Sequence, residues 1–408
     1  MQKKVIALAV AALASSAAFA QTNVTVYGVV DLSQSFVKSS GGYEGNGYNY
    51  APGAAAASAA TAYGNQPTVG RLDNNSSYIG FKGVEDLGNG LKAIFQYESN
   101  IKVDEAGAVE GGRDTFVGLT GGFGTVVGGT LTHPLRAMGA KVELLPGAAG
   151  FGTMASLTGT VAGMQTGADN RAKNAIAYVS PSFSGFSGTV AYINGENKNN
   201  AGINNRQWQL AAQYENGPLF VAAGYHRATD YVANVSYVGD TAVAATANVV
   251  GVTGALAAKD GADVSIMRLA AAYTLPTDTK LTFLVDRTKA DGAFYSGTTT
   301  ADTGEVKRTA FSLGVAQTFG KNVAGLEYGR TGKLKVDGDK VDETSANIWT
   351  AMYGYNLSKR TMLHARYSRL SNQDGVNNNF YLNPVGQGVT TGPSSTYSGF
   401  SLGLRHSF

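Results

Sequence analysis

From residue 24 onward the chain reads as short segments in which apolar and polar side chains alternate one by one. In 91–98, Leu91, Ala93, Phe95 and Tyr97 share one face, while Lys92, Ile94, Gln96 and Glu98 share the other. In 207–215, Trp208, Leu210, Ala212 and Tyr214 oppose Gln207, Gln209, Ala211, Gln213 and Glu215. In the last residues Phe400, Leu402, Leu404, His406 and Phe408 oppose Ser401, Gly403, Arg405 and Ser407. A period of two is that of a β-strand with different surroundings on its two faces. Seven short clusters, 85–90, 121–124, 184–188, 216–218, 276–278, 320–322 and 358–360, are built mainly from Gly, Asn, Asp, Pro, Ser and Lys. Gly, Asn, Asp and Pro supply the backbone angles that tight hairpins require. Eight longer polar stretches alternate with them: 38–76, 100–112, 132–169, 196–205, 231–263, 290–307, 334–343 and 371–396. Seven hairpins and two terminal segments, 24–36 and 397–408, predict sixteen strands.

Alternation alone also suits a soluble sandwich with one face buried and one solvated. Three further features select the environment. The strand number is even, short turns lie at one end and long loops at the other, and aromatic residues close the apolar face near the turns. Phe81, Phe95, Tyr97, Phe123, Tyr214, Tyr273, Phe319 and Tyr355 are the examples. Together they predict an all-β fold, an antiparallel transmembrane β-barrel of the outer-membrane type. Closure is required because an open edge in hydrocarbon leaves unpaired backbone groups at several kcal/mol each. Sixteen tilted strands about 4.8 Å apart enclose a barrel roughly 30 Å wide, which side chains cannot fill. The interior must hold water, a loop, or both.

Composition agrees. Of 408 residues 54 are Gly, 43% are hydrophobic and 15% charged, against about 25% charged in ordinary soluble chains. After the first residues no apolar run approaches the length of about 20 needed for a spanning helix. The formal charge of +3 offers no footprint for nucleic acid, and the absence of Cys removes disulfides, thiolate metal sites and thiol nucleophiles. Lys3 and Lys4, the apolar run from Val5 to Leu13 and the small-residue end Ala17-Ala18-Phe19-Ala20 predict a secretory signal peptide over 1–20. Cleavage after Ala20 leaves 21–408 as a single barrel domain and lowers the balance to +1 by removing Lys3 and Lys4.

No catalytic, metal or cofactor site emerges. His133, His226, His364 and His406 are widely separated, and no G-x-S-x-G elbow is present. The glycines at 122, 124 and 128 fit a hairpin better than a phosphate loop, since no helix follows. A sugar-specific channel calls for aromatics stacked along the lumen, whereas the inward faces carry mostly small and charged residues. An adhesive role for the loop containing Tyr43, Tyr48, Tyr50 and Tyr63 is compatible with a pore.

Asp86-Leu87-Gly88-Asn89-Gly90-Leu91-Lys92-Ala93, preceded by Ile79-Gly80-Phe81-Lys82-Gly83, resembles the first hairpin of Gram-negative general porins, most of all the neisserial type. The opening Val26-Tyr27-Gly28-Val29-Val30-Asp31 is similar too, as are Gly121-Gly122-Phe123-Gly124, the stretch from Asn174 to Pro181, the stretch from Asn356 to Thr361, and Arg405-His406-Ser407-Phe408. The resemblance spans essentially the whole of 21–408 and implies a homotrimer in outer-membrane lipids. Each subunit is then a passive channel for ions and small hydrophilic solutes, narrowed by an inward-folded third long loop. It also implies that Phe408 is read by the barrel-assembly machinery.

By alternation the inward ionisable residues are Asp31, Lys82, Lys92, Glu98, Arg171, Lys173, Glu215, Arg268, Asp286, Arg308, Glu327, Arg366 and Arg405, an excess of base. Selectivity of a diffusion channel rests on radius and charge at the narrowing. Through the resemblance, Glu98 matches an inward Glu ending the third strand, Arg171 an Arg before the sixth, and Arg113 an Arg opening the fourth. Val117 and Leu119 share the parity of Arg113, so an inward Arg113 calls for a β-bulge. Lys82 is inward on the second strand, and Lys173 is inward by parity with Arg171. Arg366 and Arg405 complete the expected lumen charges. Two departures matter: Tyr78 stands where many relatives have an inward Arg, and the third loop carries Glu143 and Asp169 as its carboxylates. A thin acidic side predicts a weak transverse field and a modest preference for anions.

Overall fold

The computed structural model describes residues 23–44, 61–62, 65–105, 109–161, 164–196, 198, 204–230, 237–238, 241–242, 263–291, 305–386 and 394–408. The expected signal peptide and Tyr48, Tyr50 and Tyr63 lie outside the described residues. The wall begins with β1 (Asn23–Ser40), β2 in two pieces (Val69–Asn74 and Tyr78–Gly88), β3 (Leu91–Ile101), β4 (Thr115–Gly121) and β5 (Gly124–Thr132). After a long loop come β6 (Arg171–Val179), β7 (Phe186–Asn194), β8 (Arg206–Asn216), β9 (Leu219–Thr229), β10 (Asp263–Thr274) and β11 (Thr279–Asp291). β12 (Glu305–Phe319), β13 (Asn322–Thr331), β14 (Ala346–Asn356), β15 (Thr361–Asn372) and β16 (Thr396–Ser407) complete it. Each strand pairs antiparallel with its chain neighbours, and β1 closes the ring by pairing β16 from Val29↔Ser407 to Ser40↔Thr396. The seven short turns fall where the alternation places them, whereas Val69–Asn74, expected inside the first long loop, is strand and pairs with β1.

The outer face is the apolar band. Phe81, Phe95, Tyr97, Phe123, Tyr273, Phe319 and Tyr355 are all exposed on it, as hydrocarbon rather than water is their solvent. No helix among the described residues is long and apolar enough to cross a membrane. Phe408 lies at the β1–β16 seam, where its N–H donates to Gly28 O at 3.1 Å. Its ring occupies the space a Cβ at Gly28 would need.

Loop 3, described over residues 133–161 and 164–170, folds inward and packs against the lumen wall. Its helix α1 (Pro134–Val142) starts with Pro at its first turn, where the missing N–H costs nothing. Leu135, Met138 and Val142 form the buried stripe of α1. Met138 and Val142 pack on Phe220, Ala222, Ala270, Ala272 and Leu284, the lumen-facing apolar residues of β9 to β11. Further on, Phe151, Met154, Leu157 and Val161 join Ile348, Leu370 and Tyr397 of the wall in the largest buried cluster. Burying each such side chain contributes about 2 kcal/mol, so the loop is packed firmly on the wall and is not a flap. Loop 8 (373–395) adds Phe380, whose ring lies 5.4 Å from that of Phe151.

Candidate pore constriction

Loop 3 is clamped to the wall by buried charges. Arg268 of β10 donates to Asp169 Oδ1 and Oδ2 at 2.5 and 2.7 Å, to Asp286 Oδ2 at 2.9 Å and to Leu135 O at 3.0 Å. Asp286 also accepts the Gly159 N–H at 2.6 Å. Arg308 of β12 donates to Thr160 Oγ1 and Leu157 O, and Thr350 Oγ1 donates to Gly152 O at 2.7 Å. Arg366 of β15 donates to Ala149 O at 2.7 Å. Gly150 makes that approach feasible, because a Cβ there would sit 1.6 Å from Arg366 Nη1 and its φ is +95°. Arg366, expected as a pore-lining charge, is therefore 2% exposed beneath the loop and lies off the cavity lining. Parity identifies the face of a residue but not whether a loop covers it.

Loop 3, β2, the starts of β4 and β6, and loop 8 bound a cavity of about 250 Å³ inside the barrel. Arg113, Arg136, Arg171, Arg268 and Arg405 line it, against the carboxylates Glu143, Asp169 and Glu327. Arg113 Nε donates to Glu98 Oε2 at 3.1 Å, and its guanidinium stacks 4.0 Å from the Tyr78 ring centroid. No bulge is needed to turn Arg113 inward, since β4 begins only at Thr115 and strand parity does not reach residue 113. Tyr78, uncharged at its expected wall position, thus orients a charge that the neighbouring segment supplies. Glu98 also accepts from Tyr27 OH at 2.9 Å and Gln96 Nε2 at 3.1 Å. Lys82, expected at the constriction, is exposed toward the turn end of β2 with Nζ 4.9 Å from the Tyr27 ring centroid, and lies outside the cavity lining because it sits too far along the strand from loop 3.

Arg171 Nε lies 3.5 Å from Asp114 Oδ1. Lys173 departs from the parity argument: the β5–β6 register shifts between Ala172 and Ala175, leaving Lys173 exposed and outside the cavity lining. Asn174, with φ 55°, marks that irregularity. Arg405 Nη1 donates to Asp31 Oδ2 at 3.1 Å while still facing the cavity. Glu143 lies just past the C-terminal end of α1 and accepts the Met154 N–H at 2.9 Å. Arg136 and Glu143 are seven residues apart along α1, about 10 Å of helix rise. Base gathers near the start of the helix and acid near its end, where Glu327 of β13 joins Glu143. Asp169 is neutralised by Arg268, so the acidic side is half loop and half wall.

Arg136 and Tyr381 were not singled out by the sequence. Arg136 donates to Asp169 O at 2.6 Å and to Tyr381 OH at 3.4 Å. The Tyr381 hydroxyl donates to Asp169 O at 3.1 Å and its N–H donates to Ser156 Oγ at 3.0 Å. Arg71 Nη1 and Nη2 hold the same loop through Pro384 O and Asn383 O, both at 2.6 Å. The available signal was Phe380-Tyr381-Leu382, an apolar run inside a polar loop.

His133 opens loop 3, is 4% exposed and has Nδ1 3.0 Å from Gly167 O. Burial pushes it down to about 4. A depressed histidine is neutral in the fold, so its contribution is complete above the ordinary value near 6.5 and is lost as pH falls toward 4, by up to about 3 kcal/mol. His133→Gln, neutral throughout, should flatten the melting profile of detergent-solubilised protein between those two pH values. Parallel profiles for variant and parent would remove His133 as the acid-sensitive group.

A closed antiparallel barrel with an apolar outer band, a packed inner loop and a charged narrowing defines a β-barrel channel protein. The chain matches the family model of the Gram-negative porin over residues 7–375 and belongs to that family, whose members are proteins of the outer membrane. Outer membrane porin protein 32 of Delftia acidovorans is 30% identical over the full length of both chains. Major outer membrane protein P.IB of Neisseria gonorrhoeae is 32% identical over 54% of this chain and 55% of its own. Among solved structures, the anion-selective porin from Comamonas acidovorans shares the fold with a TM-score of 0.67 at 24% identity, covering 95% of this chain and all of that one. OmpT of Vibrio cholerae in its trimer form does so with a TM-score of 0.61 at 16% identity, covering 95% and 99%.

Proposed function

We propose that the protein is a passive diffusion channel for ions and small hydrophilic solutes with a modest preference for anions. The observation that carries this reading is that five arginines against three carboxylates line the single narrowing described, and that Arg136 among them meets no carboxylate side chain among the described residues, while Glu98, Asp114 and Asp31 pair Arg113, Arg171 and Arg405. Fixed charge at a constriction raises the local concentration of the opposite ion. Arg113, Arg136, Arg171 and Arg405 are the residues in that role, with Tyr78 orienting Arg113 and Glu143 supplying the opposing charge. The anion selectivity of the Comamonas porin supports the sign, and the trimer form of OmpT supports a homotrimer. Phe408, exposed at the seam, is well placed to be read during barrel assembly before β1 and β16 close.

Planar bilayers under a potassium chloride gradient test the proposal. The reversal potential should lie on the chloride side, and saturating sugar should leave the conductance unblocked. A potassium-side potential would overturn the anion preference, and a sugar-saturable block would make this a solute-specific channel.

A further inference from the structure

The outer wall carries a groove of about 730 Å³ that crosses the strands from β6 to β11. Its floor is made of small residues in register, Gly188, Ala212 and Ala223, continuing to Leu269 and Val285. The ridge on its loop side is the next row, Val190, Leu210, Tyr225 and Met267, and that row ends at Arg287. On the turn side the row of Phe186, Tyr214 and Val221 forms the other bank. From β7 to β11 the furrow spans four inter-strand steps, about 19 Å, the reach of one extended acyl chain.

Arg287 sets the groove apart from a mere unevenness of the lipid-facing surface. It is exposed on the outer face toward the long-loop end of β11, the extracellular end in barrels of this type. Other outward bases nearby are neutralised within the chain: Arg227 by Asp263, Lys289 by Asp291 and Glu305, and Lys307 by Glu305. Among the described residues no carboxylate meets Arg287. An unpaired guanidinium next to hydrocarbon calls for an anion, and two oxygens of a phosphate match the planar fork of its N–H donors.

We infer that this groove holds one acyl chain of a phosphate-bearing outer-leaflet lipid, whose phosphate pairs with Arg287. The small floor residues let the chain sink below the surface of the wall, and the guanidinium fixes the headgroup at the upper end. Neither group belongs to the constriction, so lipid retention and conduction are separable.

The test is native mass spectrometry of the detergent-solubilised protein with bis-phosphorylated lipid A and its dephosphorylated form as probes. Arg287→Gln should lower retention of the phosphorylated probe by about fivefold, the worth of one exposed charge pair, and leave the dephosphorylated one unchanged. Filling the floor with Ala212→Leu and Ala223→Leu should lower retention of both. Bilayer conductance should stay at the parental value in each variant, which also verifies folding. Equal retention of the two probes by parent and Arg287→Gln overturns the inference. So does a floor variant that changes the oligomeric state without losing lipid, since a second copy would then be the occupant. If the floor variant fails to fold, the comparison of the two probes on Arg287→Gln decides.

Discussion

Replacing Arg136 and Arg171 together by Glu should reverse the ion preference of the channel. The cavity then changes from five arginines and three carboxylates to three and five. Each unit charge acts on an ion about 8 Å away with about 2 kcal/mol at an effective dielectric of about 20, and each reversal counts twice. That is ample to carry a modest preference through zero, with a change of more than about tenfold in the anion-to-cation permeability ratio. The reversal potential of the double variant should cross to the potassium side and the shift should shrink at high salt, where screening shortens the reach of the field. A potential that stays on the chloride side would show that selectivity is decided elsewhere along the pore.

The second large effect concerns the clamp. Arg268→Met should destabilise the protein by about 3–5 kcal/mol, because Asp169 and Asp286 are left buried without their cation. Loop 3 loses its tie through Leu135 O at the same stroke. In detergent gels the heat-modifiable transition should move to lower temperature, and single channels should become noisy as the loop detaches. Adding Asp169→Asn and Asp286→Asn should recover part of the loss, since the orphaned charges are then gone. A variant that melts like the parent and conducts quietly would show that the apolar stripe of α1 holds the loop alone.

The strands were legible because a barrel wall gives each strand two environments, and a period of two needs no distant information. The same holds for the seven turns, whose backbone demands are met by their own residues. The constriction was legible only in part. Glu98, Arg113, Arg171, Tyr78, Glu143 and Arg405 do meet around or beside one cavity, but Arg366 belongs under the loop, Lys173 lies past a register shift and Lys82 stands off the cavity toward the turns. Arg136 and Tyr381 entered through contacts between two loops more than two hundred residues apart.

The sequence by itself determined the closed all-β wall, its sixteen strands and which faces meet lipid and lumen. These follow from local alternation and from the cost of unpaired backbone in hydrocarbon. The tertiary structure alone decided which inward charges remain open to an ion. That depends on the path of loop 3, held by partners such as Arg268 with Asp169 and Thr350 with Gly152, 99 and 198 residues apart. No local period encodes a contact at that separation. A clamping arginine and a pore arginine therefore read alike along the chain and differ only in what covers them.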